Sequence, residues 1–440
     1  MRVTAGSLAK RIRELRNPAQ FSRELDVLCG IETRPNGTRF VPRNADRYLT
    51  ATSHSWTEIG EAVCGADLLR RMRDLRNGGI RGGRWYEAKE EAGDGAMGPS
   101  QFQAINYWSE TTSRILEAVQ LMQFDQVAFI GDKVTTLNPG VVMNVGRRPR
   151  YSPPTEKTKP LQPNEPIPMG SIDAEWVDVN PVEKHGQGLA ISTETMLFDG
   201  KQGAAVEAVG NIAYQIGWSK EDRILKPVFG IENTYRYGAT DSGGASDSLN
   251  TYYAAADNGP WVNKATIDLQ TELDLNVAEQ LFLGMRHPRT GYPINLSATR
   301  DLIVMPFKWL TAQRLARITS VEQGARAAAP AAVEVTSPTY TGPVLNPFYS
   351  QRAYDLMQQD FPDLGWTALT ATQAGYRFVY GDPKRAFEYR EARPFQSWSW
   401  NMSQDPSLAI RDCFMMIVAL EQGSVTEVEP RHVVLGIKDS

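Results

Sequence analysis

Gly146-Arg-Arg-Pro-Arg-Tyr-Ser-Pro-Pro-Thr-Glu-Lys-Thr-Lys-Pro-Leu-Gln-Pro-Asn-Glu-Pro-Ile-Pro-Met-Gly170 carries seven prolines, at positions 149, 153, 154, 160, 163, 166 and 168. Each removes a backbone donor and fixes φ, so the stretch reads as extended and irregular, with nothing that folds alone. Loops of this length are uncommon inside compact domains. Such a segment is either disordered or laid across a neighbouring molecule that supplies its contacts. The residues C-terminal to it favour the neighbour. The chain returns as extended structure through Trp176-Val-Asp-Val179 and Gly188-Leu-Ala-Ile191, the second arm of a long hairpin. Ser192 and Thr193 open a helical region. Val206, Val209, Ala213 and Ile216 then recur at spacings of three and four, marking one face of a helix from about 201 to 225. At 1.5 Å per residue that is a rod of roughly 38 Å. Lys226, before Pro227, is biased out of the α region and supplies a stop.

Further along, Leu269, Leu273, Val277 and Leu281 fall every four residues and predict a second helix over 266–285. His287-Pro-Arg-Thr-Gly291 turns the chain. Leu302–Met305, closed by Pro306, suits a buried strand followed by a helix over 307–318. Thr319–Pro347 is weakly patterned and reads as an exposed connection. Residues 377–380 and 386–390 alternate around Gly381-Asp-Pro-Lys384, a hairpin signature. Two more strands are expected at 414–420 and 433–437. Before the loop, residues 103–123 pattern as an amphipathic helix, and 124–130 as a strand or a continuation of that helix. No internal repeat is present.

Composition limits the function classes. The 440 residues are 41% hydrophobic and 22% charged, with a net charge of −4, which suits a globular protein with a sizeable core. That sign argues against nucleic-acid binding through overall charge. Basic clusters are local: Arg2, Lys10, Arg11, Arg13 and Arg16 form an N-terminal arm, and six arginines lie between Arg70 and Arg84. They read either as solvated helix faces or as phosphate-neutralising groups. Cys29, Cys64 and Cys413 make no CxxC pair, so neither a disulfide framework nor a zinc ribbon is indicated. Residues 1–10 have no apolar signal core, and the run Cys413–Leu420 is too short to span a bilayer.

Catalytic patterns are nearly absent. Gly93-Asp-Gly-Ala-Met-Gly98 has dinucleotide-fingerprint spacing but comes after a charged stretch instead of a strand. His54, His185, His287 and His432 are isolated in sequence, and there is no GxSxG elbow, P-loop or HExxH. No cofactor, metal or catalytic residue is expected.

From about Glu183 onward, the order of features resembles the major capsid proteins of tailed bacteriophages. Lys184-His-Gly-Gln-Gly-Leu-Ala-Ile-Ser-Thr-Glu194 is similar to the end of that family's extended E-loop. Residues 199–225 occupy the place of its spine helix, and 266–318 that of its axial domain. Phe378-Val-Tyr-Gly-Asp-Pro-Lys-Arg-Ala-Phe-Glu-Tyr-Arg-Glu-Ala-Arg-Pro394 is similar to its late strand-turn-strand passage. The resemblance implies an α+β fold with an N-terminal arm (1–130), an extended E-loop region (131–192), a peripheral domain with the spine helix (193–262), an axial domain (263–394) and returning strands (395–440). It also implies self-assembly into hexamers and pentamers of an icosahedral virion shell around double-stranded DNA, built in the host cytoplasm with no membrane. Portal, scaffold and decoration proteins are its implied partners. Since the chain starts at Met1, an uncut subunit is expected. Arg147, Arg150, Lys157, Lys159, Trp176 and Lys184 become inter-subunit loop residues, with Arg2, Lys10, Arg11, Arg13 and Arg16 facing DNA. Two other readings stay open: an encapsulin-type nanocompartment, and a cytosolic enzyme whose proline-rich segment is a lid.

Overall fold

The computed structural model describes residues 18–35, 39–42, 59, 99–126, 129–141, 146–151, 174–192, 202–239, 246–287, 291, 293–294, 296–317, 344–360, 376–401 and 413–438. Expectations for the N-terminal arm, the second arginine cluster, the Gly93–Gly98 motif and most of the proline-rich loop lie outside these residues. In chain order the elements are α1 (Pro18–Cys29), β1 (Glu32–Thr33), β2 (Arg39–Phe40), α2 (Pro99–Gln126), α3 (Gly131–Val134), β3 (Thr136–Pro139), β4 (Arg147–Tyr151), β5 (Ala174–Asp178), β6 (Glu183–Ser192), α4 (Gln202–Val228), β7 (Tyr235–Ala239) and β8 (Ser246–Leu249). Then come β9 (Lys264–Thr266), α5 (Glu272–Gly284), β10 (Thr299–Val304), α6 (Trp309–Ala316), β11 (Val344–Tyr349), α7 (Gln351–Asp360), β12 (Arg377–Gly381), α8 (Pro383–Ala386), β13 (Phe387–Asn401), β14 (Cys413–Glu427) and β15 (Val433–Ile437). The fold is α+β. The chain divides into two compact units, each assembled from separated stretches.

The first unit takes residues 1–128, 184–219 and 393–422. Its core is formed by α1, α2 and the first part of α4, packed on one face of the strands β13, β14 and β6. The periodicity of α4 is realised: Val209, Ala213 and Ile216 are buried and Val206 packs against them. Alternation along the strands sends Phe395, Ile417, Ala419 and Ile191 to the same core. Phe124, in the helical continuation of α2, stacks on Phe395 with ring centroids 4.1 Å apart. Arg39 ties α1 to α2 by bonding Asp26 and, at 2.6 Å, the buried Glu117.

The second unit takes residues 129–183, 220–392 and 423–440. Its centre is a five-stranded mixed sheet in the order β11-β10-β12-β15-β9. Leu302, Ile303 and Val304 of β10 and Phe378, Val379 and Tyr380 of β12 are fully buried, as a strand covered on both faces requires. Each such side chain contributes about 1.5–3 kcal/mol through removal from water. A second, antiparallel sheet of this unit runs β4-β5-β7-β8, with Tyr151 opposite Ala174, so β5 realises the first part of the expected second hairpin arm, whereas Gly188–Ile191, expected in the same arm, lies in β6 and pairs with β14 in a different sheet.

Four expectations are corrected. The Gly381-Asp-Pro-Lys384 stretch does not close a hairpin: β12 pairs with β10 and β15, while β13 runs in parallel beside β3, and α8 changes the sheet between them. The α4 helix does not stop at Lys226 but includes Pro227. A proline in the last turn leaves one carbonyl unmatched, and the real stop is Gly230, whose φ of 63° lets Ile231 N–H bond back to Lys226 O at 2.9 Å. Within 319–347 the described end is not a plain connection, because Val344–Tyr349 pairs in parallel with β10; Pro347 is tolerated there because β11 is an edge strand. Lastly, α5 begins only at Glu272 and turns Leu275, Ala278 and Phe282 inward, so Leu273 and Val277 face solvent.

Candidate assembly surfaces

The proline-rich segment leaves and re-enters the second unit through a tightly held base. Arg147 bonds Asp178 at 3.3 Å and lies over the Trp176 ring at 4.8 Å. The indole N–H of Trp176 donates to Ser246 Oγ at 3.0 Å, fastening β5 toward β8. Arg148 pairs with Glu388. Arg150 reaches inward, donating to Val428 O at 2.7 Å and pairing with the buried Glu429, which also accepts from Arg431 Nη2 at 2.6 Å. Burial would raise Glu429, but the hydrogen bond and charge of Arg431, together with Arg150, hold its pKa down at about 2. Arg150 thus directs its charge inward, onto Glu429 and Val428 O of the same chain.

A second feature is a set of exposed apolar side chains among the described residues of the second unit. On α5, Leu273 is 66% exposed and Leu283 74%, and Leu310 of α6 is 78% exposed. Val344 and Tyr349 are exposed on β11, an edge strand among the described residues. Single exposed leucines need no explanation, but Leu273 and Val277, four residues apart on one helix, form an outward apolar stripe on α5. The row every four residues was legible in the sequence, but the structure divides it: Leu273 and Val277 are exposed, Leu269 is buried and Leu281 packs against the core.

A third feature belongs to the first unit. The face of β13, β14 and β6 turned away from the helices forms an open groove of about 600 Å³. Val418 and Leu420 of the middle strand make its floor, Trp398 and Trp400 stand on β13, and Gly186 and Gly188 leave β6 bare. A Cβ at Gly186 would meet Leu420 Cδ1 at 3.0 Å, and one at Gly188 would meet Val418 Cγ2 at 3.0 Å, so both positions favour glycine. Lys184 and Arg393 supply the groove's positive charge.

Of the loop residues named from sequence, the structure gathers Arg147, Arg150 and Trp176 at the hairpin base and places Lys184 in the groove. Lys157, Lys159, Arg2, Lys10, Arg11, Arg13 and Arg16 lie outside the described residues. The groove tryptophans were missed, although the alternation Ser397-Trp-Ser-Trp400 signals a strand with one aromatic face. No group of three or more His, Cys, Asp or Glu side chains placed to hold a metal occurs among the described residues. His287 Nε2 lies 3.4 Å from Glu175 Oε2, and both side chains are buried. No described helix is long and apolar enough to cross a membrane.

No family model matches the chain, and no curated protein matches it in sequence. Similarity to solved structures exists at low identity. The capsid asymmetric unit of cyanophage Pam1 is 13% identical, with 70% of this chain and 89% of that chain covered and a TM-score of 0.42. The capsid of cyanophage P-SCSP1u is 12% identical, with 71% and 89% covered and a TM-score of 0.42. A virus-like particle from Pyrococcus furiosus is 6% identical, with 74% and 99% covered and a TM-score of 0.36. Over about seven tenths of its length, this chain is similar to phage capsid chains.

Proposed function

We propose that the protein is a major capsid protein, a non-enzymatic subunit that assembles through head-to-tail contacts into hexamers and pentamers of an icosahedral phage head. The observation that carries this reading is the outward apolar surface of the second unit, Leu273, Val277, Leu283 and Leu310, which a lone subunit leaves in water. The anchored base of the proline-rich excursion supports it, since a segment unable to bury itself gains its ordering free energy from a neighbour. Contacts between unlike patches close rings when the rotation closes. In this reading residues 174–192 belong to an E-loop region, α4 is the spine helix, and α5, β10 and α6 belong to an axial domain around the capsomer centre. The cargo is double-stranded DNA, with Arg2, Lys10, Arg11, Arg13 and Arg16 toward its phosphates. Portal, scaffold and decoration proteins are further partners, and assembly takes place in the host cytoplasm.

The test is negative-stain electron microscopy with light scattering on the chain expressed alone, beside a variant in which residues 152–173 are replaced by a short Gly-Ser linker. Uniform shells or rings from the parent, and folded unassembled subunits from the variant, are expected. A small species of one size from both chains at every protein and salt concentration would sink the proposal.

A further inference from the structure

We propose that the groove bounded by Trp398, Trp400, Gly186 and Gly188 is a binding site for single-stranded DNA, in which the two indoles stack on unpaired bases while Lys184 and Arg393 meet the phosphates. The site goes beyond the shell reading and does not depend on it. Alternation along β13 puts residues 398 and 400 on one face of the strand, about 6.8 Å apart. Successive nucleotides of one strand rise about 3.4 Å when stacked, so the interval between the indoles leaves room for one base. Neither indole makes a ring contact with another aromatic side chain among the described residues, and they are 36% and 37% exposed. Two large aromatic groups left part in water on one strand face are surface available to a ligand.

Charge and shape select the occupant. Lys184 and Arg393 line the same groove, and neither is ion-paired among the described residues, in a chain whose net charge is −4. The matching ligand is anionic as well as aromatic, and a positively charged groove with stacking side chains is how single strands are held without regard to sequence. A duplex does not meet the geometry, because its bases cover one another's faces and show only their edges in the grooves. The floor separates DNA from RNA. Val418 and Leu420 offer no hydrogen-bonding side chain, so a 2′-hydroxyl pressed against them would lose water without gaining a partner, and a deoxyribose would not. Gly186 and Gly188 keep that floor open, since a Cβ at either would meet Leu420 or Val418 at 3.0 Å.

A fluorescein-labelled deoxyuridine oligomer of about twelve nucleotides is titrated into the full chain, with polarisation as the readout. Saturable binding is expected, weakened about tenfold or more by Trp398→Ala with Trp400→Ala and held within about threefold by Trp398→Phe with Trp400→Phe, which keeps a stacking face at each position. The two phosphate contacts should contribute about −1.4 to the slope of log affinity against log salt, and Lys184→Gln with Arg393→Gln should remove that contribution. The unlabelled ribo-oligomer of the same sequence should compete more weakly than the deoxy-oligomer, and a duplex of the same length should not compete. No binding by the parent chain, a double alanine variant that binds as the parent does, or equal loss in the phenylalanine and alanine variants overturns the proposal. A duplex that competes as well as the single strand overturns it too, and a ribo-oligomer that competes equally overturns the assignment to DNA. Negative-stain microscopy of the same samples keeps the two readings apart: binding without shells removes the shell reading alone, and shells without binding remove the groove site alone.

Discussion

Glu221 and Glu427 show what burial of an acid does in the second unit. Glu221 accepts backbone N–H bonds from Ile130 at 3.0 Å and Gly131 at 2.9 Å. Burial nevertheless pushes its pKa up to about 7, and pushes Glu427 to about 7 as well. Both carboxyls favour the neutral form when folded. Their stabilising contribution is thus complete below the ordinary value near 4.5 and is lost as pH rises through 7. Each shift is worth up to about 3 kcal/mol at the alkaline end. Glu429 acts oppositely: its depressed pKa contributes above about 4.5, and the contribution fades as pH falls toward 2. Urea unfolding followed by tryptophan fluorescence should therefore show a midpoint that falls between pH 5 and pH 7.5. Glu427→Gln should flatten part of that slope. A midpoint that rises over this interval would contradict the assignment.

At the scale of the element, α5 shows how far pattern reading carries. A run of leucines and valine at spacing four predicts that a helix exists, and it does. It cannot say which of two apolar faces points inward, because Leu275, Ala278 and Phe282 form a second face that competes for the core. Phe282 wins by packing against Tyr380, with ring centroids 6.1 Å apart. Leu273→Asp with Val277→Asp should accordingly leave the thermal midpoint within a few degrees, since both side chains are already in water. The same variant should abolish higher oligomers in light scattering. A collapse of near-ultraviolet dichroism would instead show that this face holds the fold. Other elements were legible for plain reasons. Strand β10 announces itself as a short apolar run, and α4 by apolar periodicity over about three turns. β11 was hidden by Pro347, whose exclusion from strands relaxes at a sheet edge. The Gly-Asp-Pro turn misled because turn chemistry reports a change of direction, not the sheet to which the next strand goes.

For the molecule as a whole, periodicity discloses most elements and the resemblance in their order implies the fold class, but neither gives the grouping into units. Local periodicity carries no information about which strands pair across long separations. The five-stranded sheet is the clearest case: β15 lies between β12 and β9, and Leu435 stands opposite Lys264, more than 160 residues earlier. The apolar groove was equally out of reach, since it needs Trp398 of one strand beside Gly186 of another. Removing residues 433–440 should leave β12 and β9 with open edges, and the product is expected in the insoluble fraction. A soluble, cooperatively unfolding product would show that the sheet does not need β15.

The late arrival of β15 bears on biosynthesis. While the ribosome is still short of Val433, the sheet lacks an inner strand and no emerging chain can present a finished second unit. A product that stops early, through a frameshift or premature release, is marked for clearance by its own exposed edges. The order of the strands thereby makes a finished second unit depend on complete translation.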